Sequence, residues 1–247
     1  MKIYFLGTNG WYDSKTGNTV SLLVETKSSY IVLDAGSGIS KIDQFIKHKK
    51  PIYLFLSHFH LDHIFGLHAL GKFDFSQGID IFGPPGLRRM FSLLINQPYS
   101  MPVSKLRTKI RLHELSGAKV KQIPGLEYSK LRHSSFCYGY RFSIEGKVFS
   151  YCTDTGPCKN ILALARQADL LILECAYKLG QDNKSWPHLN PKTAAILARD
   201  AGSKRLILTH FDAQTYQAIP ERNKAGLIAR RYFKNTLIAR DGLRLNL

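Results

Sequence analysis

The run SHFHLDH, residues 57–63, follows directly on the apolar stretch PIYLFL. It sets His58, His60, Asp62 and His63 within one short loop. Ordinary packing gives no reason for such a density of polar groups, because buried polar side chains need partners. In an extended segment His58 and His60 point the same way, since side chains alternate with period two. A helix beginning near Leu61 puts Asp62 and His63 on its first turn, offset from that pair. The spacing therefore offers two donor clusters a few ångströms apart. Imidazole and carboxylate donors suit zinc, and manganese and iron fit them as well. The competing reading is a polar loop whose histidines only hydrogen-bond, and four donors crowded together weigh against it.

The rest of the chain supplies a scaffold for that loop. Short β-rich runs stand at 2–6, 19–24, 30–34, 52–56, 79–82, 109–112, 137–144, 147–152, 169–173, 204–209 and 236–238. Helical patterns occupy 39–48, 61–70, 85–96, 159–167, 191–201 and 221–233. Asn190 and Pro191 are start signals for the 191–201 helix, and Gly202 is its stop. Glu145-Gly146 reads as the turn of a hairpin joining CYGYRFSI to KVFSYC. Two β-rich halves, each followed by helices, suggest two sheets face to face with helices outside. Periodicity alone specifies only a mixed α and β chain, read as one domain over residues 1–247.

Composition narrows the setting. A 247-residue chain with 44% hydrophobic residues can bury a sizeable core. Lys and Arg number 35 against 18 Asp and Glu, a net charge of +17 that suits a phosphate-bearing or nucleic-acid partner. The four cysteines form no CxxC pair, and two sit in apolar runs as buried thiols do. The start MKIYFLGTNG has too short an apolar run for a signal peptide. No stretch approaches the ~20 apolar residues of a membrane span. These features predict a cytoplasmic, soluble protein without a membrane partner.

SHFHLDH matches the HxHxDH motif of the metallo-β-lactamase superfamily. Asp34 in VLDAG, His133 in LRHSSFCYGYRF, Asp154 in SYCTDTGP and His210 in LILTHFD follow in the family's order. The resemblance spans nearly the whole chain. It implies an α+β fold, the four-layer αββα sandwich, with a dinuclear metal site at one edge. By this resemblance His58, His60 and His133 hold one ion, Asp62, His63 and His210 hold the second, and Asp154 bridges both. Zinc is the first choice of metal. Two cations ~3.5–4 Å apart need an anionic bridge, and a bridging hydroxide would complete both shells and act as nucleophile. By the resemblance Asp34 lies outside the ligand set and orients the motif loop; capping of the turn at Ala35-Gly36 is the plainer reading and is compatible with that role.

His188 stands in WPHLNPKTAAILARDAG, just before the capped helix. A helix N-terminus favours a neutral imidazole or contact with an anion. The phrase resembles the stretch before the last metal histidine in ribonuclease Z and related phosphodiesterases, where such a histidine contacts the phosphate or helps protonate the leaving group. Those relatives carry Ser or Thr two positions later, where this chain has Asn190. His48, His68 and His113 read as ordinary polar histidines.

CYGYRF, CTDTG and LTHFD resemble the phosphodiesterase branch, and His60 stands where redox diiron members usually carry Glu. The expected reaction is cleavage of a phosphodiester, in a small cyclic or nucleotide-like molecule or in RNA, with catalytic roles for Asp62 and His188. The alternative is a carboxylic-ester, thioester or lactone hydrolase on the same ions. A nucleic-acid-binding protein with a degenerate site is a third reading, which the complete donor set disfavours. Bacterial ribonuclease Z inserts a long basic arm between the positions of His133 and Asp154, whereas here only residues 134–153 lie between them. That absence weighs against tRNA 3′-end maturation as the primary activity. Dimerisation is common among relatives, so a homodimer is a further expectation. Lys105, Arg107, Lys109 and Arg111 alternate at strand period and read as a solvated edge strand.

Overall fold

The computed structural model describes residues 1–117, 120 and 122–247. It divides the chain into two compact units, each built on its own sheet.

The first unit comprises residues 1–7, 18–118 and 241–246. Its seven strands lie in the order Arg244–Asn246, Lys2–Gly7, Ser21–Glu25, Tyr30–Leu33, Ile52–Phe55, Ile79–Gly83 and Ile110–Glu114. The first four pair antiparallel, and from Tyr30–Leu33 onward the pairing is parallel. Leu33 is level with Phe55 in that ladder. Leu23, Val32, Leu54 and Ile81 are buried in one cluster with Ile39, Leu67 and Phe91 from the helical segments. Each such side chain contributes roughly 1.5–3 kcal/mol of burial free energy.

The second unit comprises residues 8–17, 119–240 and 247. Its six strands run in the order Thr236–Ile238, Leu206–Thr209, Leu170–Glu174, Lys147–Cys152, Tyr138–Ile144 and Leu126–Lys130. The first four of these are parallel to one another. Cys152 is level with Leu173, and Glu174 with Thr209. Leu170–Glu174 is buried at every position, as a central parallel strand must be. Leu171, Leu173 and Leu206 pack with Ile161, Ala194, Ala198 and Ala225 from three helices. The small residues let those helices approach the sheet closely.

Local signals explain the well-placed elements. Asn190 caps the Pro191–Asp200 helix by accepting from the Lys192 and Thr193 amides at 3.1 Å each, and Gly202 ends it at φ 65°. Glu145 and Gly146 both take positive φ, 55° and 71°, in the expected hairpin turn. The segment at Ser37–Gln44 forms a 3₁₀ helix, and the helix after the histidine motif is α only over Leu61–Ile64 before tightening to 3₁₀ over Phe65–Lys72. The edge strand begins at Ile110, so the basic alternation from Lys105 to Lys109 lies outside it. Arg111 instead reaches across to Asp80 on the neighbouring strand at 2.6 Å. Among the described residues no helix is long and apolar enough to cross a membrane.

Candidate metal centre

In the first unit the donors sit at the carboxyl ends of two adjacent parallel strands, Tyr30–Leu33 and Ile52–Phe55. That end of a parallel sheet is where the chain leaves the ladder and side chains become available to ligands. Asp34 follows the first strand with φ 58°, a left-handed conformation uncommon outside glycine. Its carboxylate is fully buried. It accepts from the Ser57 amide at 2.7 Å, the Ser57 hydroxyl at 2.9 Å and His63 Nδ1 at 2.9 Å. The Ala35 and Gly36 amides go elsewhere, to His63 O and Val20 O. The geometry thus has Asp34 holding the motif loop through Ser57 and His63.

This network also sets the tautomers. The Ser57 hydroxyl has one proton and gives it to Asp34, so at 3.0 Å from His58 it accepts from Nδ1–H. His63 likewise donates Nδ1–H to Asp34. Both rings then keep Nε2 as a lone-pair donor, the arrangement metal-binding histidines use. The rings of His58 and His60 stand 4.5 Å apart and those of His58 and His63 4.2 Å apart. Asp62 Oδ2 lies 3.5 Å from His63 Nε2. The four candidate donors of the motif loop are thus gathered beyond the end of the Ile52–Phe55 strand.

In the second unit the pattern repeats. Asp154, Glu174 and His210 stand at or just beyond the carboxyl ends of three neighbouring parallel strands. Asp154 and His210 are again left-handed, φ 50° and 51°. Strain of this kind persists only where the surroundings hold it. Gly10 packs so tightly on His210 that a Cβ there would come within 2.5 Å of the imidazole. Asp154 Oδ1 lies 3.0 Å from His210 Nε2, and Oδ2 lies 3.7 Å from His133 Nε2. Thr153 Oγ1 donates to Oδ1 at 2.8 Å. Each oxygen of the carboxylate therefore addresses a different histidine. Donor atoms of Asp154, His188 and His210 all fall within 4.8 Å of one another.

Of the two expectations for His188, a neutral imidazole or contact with an anion, the geometry shows the contact. Its Nδ1 is 2.7 Å from Glu174 Oε1, and Glu174 is fully buried with its other contacts to the Thr155 and Ala176 amides. Burial works to lower the His188 pKa, but the Glu174 carboxylate and its hydrogen bond, with Asp154 and Asp212 beyond, lift it to about 9. A carboxylate at contact distance favours the protonated imidazole. Glu174 was not singled out from sequence. Its signal is the same as that of Asp34, an acid ending a run of four apolar residues, LLILE. Of the remaining histidines, His68 bonds to Phe65 O, His113 to Asp80, and His48 is exposed.

Imidazoles and carboxylates brought together, with the far nitrogens of His58, His63 and His188 engaged by Ser57, Asp34 and Glu174, fit a divalent metal ion. A fold of this kind with such donors defines a metal-dependent hydrolase. The β-lactamase superfamily domain matches residues 29–211, and the chain belongs to that superfamily. The ribonuclease Z of Methanothermobacter thermautotrophicus is 26% identical over 272 positions, covering 87% of each chain. That of Bacillus licheniformis is 26% identical over 302 positions, covering 98% of this chain and 97% of its own. The metallo-β-lactamase fold protein YhfI of Bacillus subtilis superposes with a TM-score of 0.81 at 22% identity, over 99% of this chain and 98% of its own. Human tRNase Z, short form, superposes with a TM-score of 0.74 at 23% identity, over 100% of this chain and 99% of its own. The fold is thus the α+β metallo-β-lactamase fold, and the relatives place the chain in the superfamily's phosphodiesterase branch.

Proposed function

We propose that this chain hydrolyses phosphodiesters with two divalent ions held between its histidine and aspartate donors, the two units working as one domain. The observation that carries this reading is the Asp154 carboxylate, with one oxygen toward His210 and the other toward His133. A carboxylate so placed suits a bridge. In this reading His58, His60 and His133 hold one ion, and Asp62, His63 and His210 hold the other. Zinc fits this donor set, as manganese and iron do. When bound, such ions supply Lewis acidity toward a phosphoryl oxygen and bring the pKa of water toward ~7.

The chain's own groups do the rest. Asp34 and Ser57 hold the His58 and His63 rings with Nε2 outward. Asp62, partly exposed beside His63, accepts at its carboxylate the proton released by the attacking water. Glu174 holds His188 by Nδ1, so that His188 faces the substrate and donates a proton to the departing alcohol oxygen. Such general-acid help is typically worth 10²–10⁴-fold in rate.

The ribonuclease Z relatives support RNA among the phosphodiesters, and the net charge of +17 agrees with an anionic substrate. Precursor tRNA is a weaker choice. Residues 134–153 are taken up by the Tyr138–Ile144 and Lys147–Cys152 hairpin. The alignment with the Bacillus licheniformis enzyme spans 302 positions against 247 residues here, so that relative carries stretches without a counterpart. Four free cysteines, three of them buried, agree with a reducing cytoplasmic setting.

The test is a panel of an activated bis-aryl phosphate, a cyclic nucleotide, a short RNA, a lactone and a glutathione thioester, with elemental analysis of the purified chain. Phosphodiester turnover with about two ions per chain is expected. His58→Ala should abolish it. An unchanged rate in that variant, or far faster turnover of the lactone or thioester, overturns the reading.

A further inference from the structure

The chain contains two tryptophans, and one of them stands beside the cluster of the second unit. The Trp186 ring is 5.8 Å from the His133 ring, at 65°, and 6.5 Å from the His188 ring, yet the residue is 47% exposed. A lone exposed aromatic is ordinary. This one is not left to wander.

Its backbone is fixed from three directions. Asn183 Oδ1 accepts from the Trp186 amide at 3.1 Å and from the Ser185 amide and hydroxyl at 3.0 and 2.8 Å. Tyr177 donates its hydroxyl to Trp186 O at 2.5 Å. Pro187 follows, which confines the residue before it to extended backbone. Pro187 in turn lies against Gly156, where a Cβ would approach to 2.8 Å, and the Gly156 amide donates to Arg132 O next to His133. The chain thus spends several hydrogen bonds on holding a half-exposed indole at the rim of a histidine cluster. Packing does not require that, since a buried indole would contribute more to stability.

We propose that Trp186 is a specificity-determining residue that stacks on a planar ring that the substrate carries beside the phosphate. This deepens the phosphodiester reading and rests on it. A rigid aromatic surface suits such a role because every base or aryl group has a π face, and little conformational entropy is lost on stacking. Substrates bearing a ring next to the scissile phosphate should be preferred over those bearing an alkyl or sugar group alone.

The probes are adenosine 5′-monophosphate and ribose 5-phosphate, which share a phosphate and sugar and differ by the base. Binding to the metal-loaded full chain is measured by calorimetry and by quenching of tryptophan emission. The nucleotide should bind roughly 5- to 100-fold more tightly than the sugar phosphate, the range that stacking of one base supplies. Trp186→Ala should bring the ratio near one, and Trp186→Phe should keep most of it. The nucleotide should quench wild-type emission, and Trp186→Phe should lose most of that quenching while still binding. Equal binding of the two probes to the wild type, or an undiminished ratio in Trp186→Ala, overturns the assignment. Should Trp186→Ala fail to fold, the wild-type ratio and the quenching decide it. Phosphodiester hydrolysis with a ratio of one sinks the stacking role alone. A ratio that depends on Trp186 in a chain hydrolysing no phosphodiester sinks the reaction alone.

Discussion

At the scale of single residues, the acids that hold the candidate donors in place matter as much as those proposed to bind the ions. Asp34 gathers the Ser57 amide, the Ser57 hydroxyl and His63 Nδ1 with no exposure to solvent. Replacing it by Ala removes the acceptor that sets the His63 tautomer and leaves a buried amide and hydroxyl to find new partners. Loss of such a supporting group typically costs 10–100-fold in metal affinity or activity. Asp34→Ala is expected to show that loss in a competitive metal titration, and to melt lower because buried donors have lost their acceptor. Unchanged affinity would count against the orienting role. The candidate donors were legible because SHFHLDH packs four of them into one phrase and the family's order supplies His133, Asp154 and His210. Ser57 carries no local signal of its own, and Glu174 carries only the one it shares with Asp34, an acid closing an apolar run, which by itself does not say what the acid supports. Their importance comes only from what the fold brings beside them.

At the scale of elements, Asp34, the SHFHLDH loop, Asp154, Glu174 and His210 stand at or beyond the carboxyl ends of parallel strands, whereas His133 follows the antiparallel edge strand Leu126–Lys130 and His188 precedes the Pro191–Asp200 helix; the strands were the most readable part of the chain. Continuous apolar runs such as YIVL and LLILE mark buried parallel strands, whereas the short pairings at Asn9–Gly10, Phe211–Asp212 and Arg244–Asn246 leave no pattern long enough to see. The helical pattern at 61–70 is α over Leu61–Ile64 and 3₁₀ over Phe65–Lys72, a change of pitch that the pattern does not carry. Gly66 explains part of this, since a Cβ there would come within 2.2 Å of Gly36 O and the segment is pressed onto that loop. Cross-strand charge pairs give these elements a pH dependence. Burial works to raise the Asp80 pKa, but hydrogen bonds from Arg111 and His113 on the edge strand bring it below the ordinary 3.8. Lys204 and the Val148 amide do the same for Asp169 in the other sheet. A carboxyl depressed on folding adds stability above its unfolded pKa and loses it as pH falls through the folded value. Melting temperature should therefore drop as pH is lowered below about 4. Asp80→Asn and Asp169→Asn should each flatten that drop while melting lower at neutral pH, and a profile unchanged in both would refute the linkage.

At the scale of the whole molecule, the donors are divided between two units with separate sheets and separate cores. His58, His60, Asp62 and His63 belong to the first, and His133, Asp154, His188 and His210 to the second. If both units hold the same two ions, as proposed, metal binding is also a link between them and must appear in stability. An ion at a hundred times its dissociation constant contributes about 2.7 kcal/mol to the folded state. For a chain of this length 1 kcal/mol moves the melting temperature by about 2–4 °C. Chelation should then lower it by several degrees, and restored zinc or manganese should return it. Sharing makes a sharper prediction than binding alone. His58→Ala removes a donor from the first unit and His210→Ala one from the second, and each should diminish the metal-linked shift for the whole chain. Two separate melting transitions, one shifted by metal in His58→Ala and the other in His210→Ala, would mean that each unit binds its own ion. That result would break the shared centre while leaving each half of the donor geometry intact.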